Sequence, residues 1–292
     1  VAADPSLRGR LSRQVSVRER LPRDLAWIFG VFMVAGTWAW LSEYGWGIDS
    51  GAYWGAWRDG LYDVPPARAG AYLYSPAFAQ AIWPFTYLPR AVFVAGVSLA
   101  TTITLWWLLR PLGWRWWVPL MLCCSFEIAT GNVNWVFAVV AALGLRHPWL
   151  WAFPALTKVT PCVGPVWFLV RREWRALGVS VGATLGVVLV SAVAAPELWR
   201  QWFDFLVSNA DRSTSVLGGS LLPAPVIRIP LAVVVVAVGA RLGRTWVLPV
   251  GMILGSPVFG IGALAVLAGL VRLDAAGRAG TPGPARGRRT DS

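Results

Sequence analysis

The sequence predicts an all-α protein, a polytopic transmembrane helical bundle of roughly eight to ten membrane segments, several of them short. Three observations carry this expectation. First, 57% of the 292 residues are hydrophobic and only 14% are charged, with mean hydropathy +0.57. A soluble domain carries about a quarter charged residues. Second, apolar stretches such as residues 25–41 and 91–109 approach the roughly 20 residues a helix needs to cross hydrocarbon. Third, the arginines cluster between the apolar stretches and in the tails, as in a protein oriented by positive charge on the cytoplasmic side. That distribution argues against nucleic acid as the reason for the net charge of +12.

Residues 1–23 form a basic tail with Arg8, Arg10, Arg13, Arg18, Arg20 and Arg23, expected in the cytoplasm. No signal-peptide pattern is seen, because the basic stretch is long and residues 25–41 lack a cleavage site. The polytopic domain covers residues 24–271. Its first span, residues 24–42, runs outward into a long outer stretch, 43–89, rich in Asp, Tyr, Trp, Gly and Pro. Residues 90–109 return to Arg110 and Arg115. Shorter segments follow: 116–127 out, 134–145 back to Arg146 and His147, 149–156 partway out and 159–170 back to Arg171, Arg172 and Arg175. Pieces this short suit a bundle interior or a cavity lining rather than lipid. Residues 176–195 exit again, 196–223 form a second outer loop, and 224–240 return to Arg241 and Arg244. A short pair, 245–255 and 259–271, precedes a cytoplasmic tail, 272–292, whose Arg, Gly and Pro content predicts disorder.

Counting charges tests this topology. It places 19 of 25 arginines inside and only Arg58, Arg68, Arg90, Arg200, Arg212 and Arg228 outside, with eight of 14 acids outside. Both termini are therefore expected in the cytoplasm and the protein in the plasma membrane. No internal repeat is evident, which weighs against a symmetric transporter.

Twenty tryptophans are unusual, and Trp114, Trp116, Trp117, Trp174, Trp199, Trp202 and Trp246 adjoin arginines or the ends of apolar runs. Indoles favour the headgroup level, so most are expected to be interfacial anchors. Cys123, Cys124 and Cys162 read as small hydrophobes without metal-ligand spacing. His147, the only histidine, sits beside Arg146 and Pro148 at a surface end. A His-dependent metal site or a Ser-His-Asp triad is not expected.

Three polar groups stand out. Asp49 follows the first span in Tyr-Gly-Trp-Gly-Ile-Asp, where a carboxylate at the outer mouth of a bundle can act as a general base or remain a solvated loop acid. Lys158, the only lysine, lies between two apolar half-segments in Ala-Leu-Thr-Lys-Val-Thr-Pro. A buried ammonium needs a partner or a polar cavity, and a phosphate is a natural counter-ion; the other reading is a lysine snorkelling to the interface. Glu127, Asn132 and Asn134 fall at the outward turn of a short helical pair. They could bind sugar hydroxyls, orient the base, or simply bond helix to helix.

These segments, in order, resemble glycosyltransferase family 87, polytopic enzymes of GT-C type that use polyprenyl-phosphate mannose. The resemblance rests on Asp49 after the first span, Gly60-Leu-Tyr62, Tyr74-Ser-Pro76 through Leu88-Pro89, Gly131-Asn-Val-Asn134, Lys158-Val-Thr-Pro161 through Arg171-Arg172, and Ser256-Pro257. It spans roughly residues 25–271. The chain departs from the family pattern in the second outer loop, where only Ser208-Asn209 or Ser213 resembles an Asn-Gln-Ser element. It departs again after Ser256-Pro257, where Val-Phe-Gly replaces a Trp and a nearby His.

The resemblance implies transfer of a sugar, mannose by likeness, from a polyprenyl-phosphate donor to a glycolipid or polysaccharide on the outer face, with no cofactor and no metal. Asp49 would take the acceptor proton in an inverting displacement. Lys158 and Arg58 would hold the donor phosphate, and Tyr62, Tyr74, Glu127, Asn132 and Asn134 would bind substrate. Tyr53, Trp54, Trp57 and Tyr72 could add stacking faces. The alternatives are a lipid or sugar transporter or flippase using the same cavity, and a catalytically inactive scaffold of the same fold.

Overall fold

The computed structural model describes residues 5–58, 60–66, 68, 70–209, 224–256 and 259–273, with side chains from Leu21 onward. Asp59, Asp211, Arg212, Ser213, Pro257 and the tail beyond Leu273 lie outside the described residues. Among the described residues the chain is helical with no strands. Three helices among the described residues are long and apolar enough to cross a membrane: Leu21–Tyr44 within α1 (Pro5–Tyr44), Arg90–Leu112 including α4 (Arg90–Leu109), and α10 (Trp174–Ala194). Their outer faces are greasy. Ile28, Phe32 and Trp38 on α1, Leu99 on α4, and Leu185, Val190 and Val193 on α10 are all exposed. Exposed apolar surface on this scale costs nothing only where lipid replaces water.

The outer stretch expected over residues 43–89 is folded rather than looped. It contains α2 (Ile48–Gly55), α3 (Pro76–Ile82) and a 3-10 turn, Trp83–Tyr87. Pro76 opens α3 at its first helical position, where its missing N–H costs no bond. Tyr53, Tyr72 and Tyr74 pack edge-to-face on one another or on Phe78, with ring centroids 5.2–5.6 Å apart. The aromatics expected to offer sugar faces are mostly core: Tyr72 is 1% exposed. Trp54 and Trp57 donate to the Leu88 and Ala79 carbonyls instead.

The short pieces are short helices, with corrected boundaries. Residues 116–127 do not form one helix; α5 (Trp114–Cys123) breaks at Cys124, and α6 (Ser125–Thr130) follows. α7 (Asn134–Leu143) returns through the core beside α4. The next segment begins as a 3-10 turn at Pro148–Trp151 and becomes α8 (Ala152–Thr157). The segment expected from residue 159 becomes helical only at α9 (Gly164–Arg171), which leaves 158–163 irregular between two half-helices. α12 (Pro225–Arg241) and α13 (Val247–Gly255) pack as a pair. The last segment, Ile261–Gly269, is a 3-10 run seated on α7. Its small residues permit this approach: a Cβ on Gly269 would fall 2.5 Å from the Ala138 carbonyl oxygen.

The second outer loop opens with α11 (Pro196–Ser208), whose Trp199, Trp202 and Phe205 are buried. Trp199 donates to Ser191 Oγ at 3.0 Å. Trp199 and Trp202 are therefore packing residues, contrary to the anchor expectation, because an amphipathic helix turns its aromatic stripe onto α3 and α10. Trp114, Trp174 and Trp246 are exposed at helix ends, as anchors should be. The three cysteines are free and partly buried, and His147 is exposed.

Candidate active site

Three separate stretches of chain meet at the end of the bundle where α1 stops and α4 starts. α2 brings Asp49, the α6–α7 turn brings Glu127, Thr130, Asn132 and Asn134, and the break after α8 brings Lys158. Gly131 makes the first junction possible. It ends α6 with φ 69°, a left-handed conformation open to glycine at little cost, and a Cβ there would lie 2.6 Å from Ser50 Oγ on α2. The Gly47 N–H also donates to the Ala129 carbonyl at 2.8 Å, which ties the start of α2 to the end of α6.

Lys158 is fixed by an unusual local backbone. α8 ends at Thr157, and the next residue but one, Val159, has φ 55°. A β-branched residue in that region is strained, and such strain persists only where surrounding structure enforces it. Here the Val159 N–H donates to the Pro154 carbonyl at 2.9 Å. The turn delivers the Lys158 ammonium to two amide oxygens, Asn132 Oδ1 and Asn134 Oδ1, each at 3.1 Å. The Phe137 ring lies beneath, with its centroid 5.6 Å away. An ammonium has three donors, so one is left after the two amides.

The two asparagines each lead on to a carboxylate. Asn134 Nδ2 donates to Glu127 Oε2 at 2.9 Å, and the Trp135 N–H donates to Glu127 Oε1 at 3.1 Å. On the other side Asn132 and Thr130 are the polar neighbours of Asp49, and both favour its ionised form. The order is Asp49, Asn132, Lys158, Asn134, Glu127. Glu127 is fully buried and Asn134 nearly so, whereas Asp49, Asn132 and Lys158 keep partial solvent access. The accessible face of the site is thus an acid and a cation separated by one amide. Withdrawal from water pushes the Asp49 carboxyl up from its ordinary value, and the neighbouring Asn132, the charge of Lys158 and Thr130 pull it back.

Tyr74 reaches this group by its hydroxyl, which bonds Tyr53 Oη at 2.9 Å and neighbours Asn132. Burial pushes both phenols up, so they remain neutral donors. Tyr62 stands one layer away, donating to the Tyr74 carbonyl at 2.9 Å and packing on Tyr72 and Phe205. Arg58 is not drawn in. Its guanidinium donates to the Trp54 and Thr86 carbonyls and stacks 3.6 Å from the centroid of the Trp54 ring, which locks the outer layer. Sequence reasoning missed Tyr53 as a hydroxyl partner, Thr130, and Gly262 in the terminal run. A Cβ on Gly262 would lie 2.8 Å from Glu127 Oε2. No periodicity links residues so far apart. No group of His, Cys, Asp and Glu fit to hold a metal occurs among the described residues.

A helical bundle with long apolar spans that gathers carboxylates, a lysine and amides at one end is a membrane protein with a partly buried polar cluster. Residues 72–281, well over half of the chain, match glycosyltransferase family 87, and the chain belongs to that family. Over 101 residues it is 32% identical to a polyprenol-phosphate-mannose-dependent alpha-(1-2)-phosphatidylinositol pentamannoside mannosyltransferase of Mycolicibacterium smegmatis. That match covers 33% of this chain and 24% of the relative, so the chain spans about a quarter of that protein's length. No solved structure matches.

Proposed function

We propose that the chain is a membrane glycosyltransferase that moves a hexose, mannose by likeness to its relative, from a polyprenyl-phosphate donor to a hydroxyl of a glycolipid or polysaccharide. The observation that carries this reading is the spacing of Asp49 and Lys158 across Asn132, with solvent access to both. Asp49 removes the acceptor proton as the acceptor oxygen attacks the anomeric carbon. The bond from that carbon to the phosphate oxygen breaks with inversion, and the departing polyprenyl phosphate takes the electron pair. Lys158 places its remaining donor on that phosphate, where negative charge grows in the transition state. A preorganised ammonium, already held by two amides, need not reorganise at that moment. The Asn132 amide, the Tyr74 hydroxyl and the Thr130 hydroxyl surround the acid and keep it aimed.

The test is direct. Purified protein incubated with labelled polyprenyl-phosphate mannose and a membrane lipid extract should pass label to a lipid or glycan acceptor. If no polyprenyl-phosphate sugar yields transfer, the transporter and scaffold readings replace this one.

The same reading sets the orientation, since lipid-linked sugars are the donors to be expected on the outer face, where nucleotide sugars are not supplied. A cysteine replacing exposed Asp63 should react with a membrane-impermeant thiol reagent in intact cells. One replacing exposed Arg175, beyond α9, should react only after permeabilisation. The unmodified chain serves as control, because its own three cysteines are partly buried. Labelling of Arg175→Cys in intact cells would reverse the orientation.

A further inference from the structure

The carboxylate that bonds Lys158 most closely through the protein is not the proposed base. Glu127 is 0% exposed, yet its bonds go to Asn134 and Trp135, and Asn134 stands between it and Lys158. The arrangement is directional. Glu127 Oε1 is committed to the Trp135 N–H, so Oε2 must face Asn134 and requires a donor there. That need fixes the Asn134 amide with Nδ2 toward Glu127 and Oδ1 toward Lys158. The terminal 3-10 run closes over the pair. A Cβ on Gly262 would lie 2.8 Å from Glu127 Oε2 and 3.8 Å from Asn134 Nδ2, so backbone packs directly on the carboxylate with no room for a side chain.

Resting on the glycosyltransferase reading, we infer that Glu127 is a positioning residue that sets Lys158 through Asn134, and that Asn134 is an amide spacer keeping the ammonium held but unpaired for the donor phosphate. A carboxylate in direct contact would neutralise Lys158 and compete with the phosphate. No carboxylate nearby would leave a partly buried charge without balance. One intervening amide gives position and long-range balance while the ammonium keeps a free donor. Asn132, which accepts from Lys158 at 3.1 Å, also neighbours Asp49 and stands between that acid and the cation.

Two variants of the full chain separate the parts of this inference, with polyprenyl-phosphate mannose as the donor. In Glu127→Gln the Trp135 N–H retains the oxygen, so the new amide nitrogen faces Asn134. Asn134 must then turn its own oxygen to that nitrogen and its Nδ2 to Lys158, where donor meets donor. The expected result is a rise in donor KM of at least about tenfold together with a fall in kcat, as expected when a charge-assisted bond is lost. In Glu127→Gln with Asn134→Asp the chain of bonds is restored and the net charge is unchanged, but the carboxylate now touches Lys158. Thermal stability should recover and kcat should partly recover, while donor KM stays at least about tenfold high. Unchanged donor KM in Glu127→Gln would make Glu127 merely structural and overturn the inference. Wild-type donor KM in the double variant would overturn the spacer role of Asn134. If the double variant does not fold, the single variant still decides the role of Glu127. Absence of transfer by the unmodified protein would count against the function itself, not against this arrangement.

Discussion

Asp49→Asn is expected to slow sugar transfer at least about a hundredfold while leaving donor binding intact, since removal of a general base typically costs about 10²–10⁴ in rate. The variant keeps the shape of the side chain and one acceptor oxygen, and it loses the basicity. It should also fold. Burial raises the Asp49 carboxyl above its usual range in the folded protein. An acid raised on folding contributes stability at pH values below its unfolded pKa, and that contribution is lost as pH rises through the folded value. Above its folded pKa the ionised Asp49 is therefore a cost, and there Asn should leave thermal stability equal or higher. The same shift predicts the pH profile. Activity requires ionised Asp49, so the acid limb of kcat/KM should lie at higher pH than an ordinary aspartate would give. Asp63→Asn, at an exposed acid in the same outer layer, should keep most activity. Wild-type transfer by Asp49→Asn would remove Asp49 from the base role.

Lys158→Ala should reduce kcat/KM for the donor by about 10²–10³, the loss typical when a preorganised group facing developing negative charge is removed. The change also strips the shared donor from Asn132 Oδ1 and Asn134 Oδ1, so the α6–α7 turn loses its tie to α8. Lys158→Arg should rescue only in part. The planar fork of guanidinium cannot reproduce two bonds of 3.1 Å and a third donor from one compact nitrogen. Removing Lys158 also removes a charge that lowers the Asp49 carboxyl, so the acid limb of the residual activity should move further up in pH. Arg58→Ala is the contrasting control. Its guanidinium is occupied by Trp54 and Thr86, so its loss should loosen the outer layer and lower thermal stability without raising donor KM. Unchanged donor kinetics in Lys158→Ala would reduce Lys158 to an interfacial cation.

The environment and the order of the helices follow from sequence alone. Long apolar runs with arginines between them can satisfy their backbone only as helices in lipid. A break at Lys158 was legible because a lone lysine interrupts an apolar run, but its extension through residue 163 was not. Asp49, Lys158, Asn132, Asn134 and Glu127 were also legible, since polar groups amid hydrocarbon are expensive and stand out. Their roles were not. Residues 49, 132 and 158 are brought together by helix packing, and Gly131 permits an approach to Ser50 that no linear pattern encodes. Composition could not tell an arginine facing substrate from one spent on carbonyls, as Arg58 is. Nor could it distinguish tryptophans at the headgroup level from those beneath α11. Which carboxylate keeps access to solvent is a matter of packing in three dimensions. Asp49 lies at the rim and Glu127 is sealed beneath the terminal 3-10 run, because Gly262 lets backbone close over one acid while the other, among the described residues, is left partly uncovered.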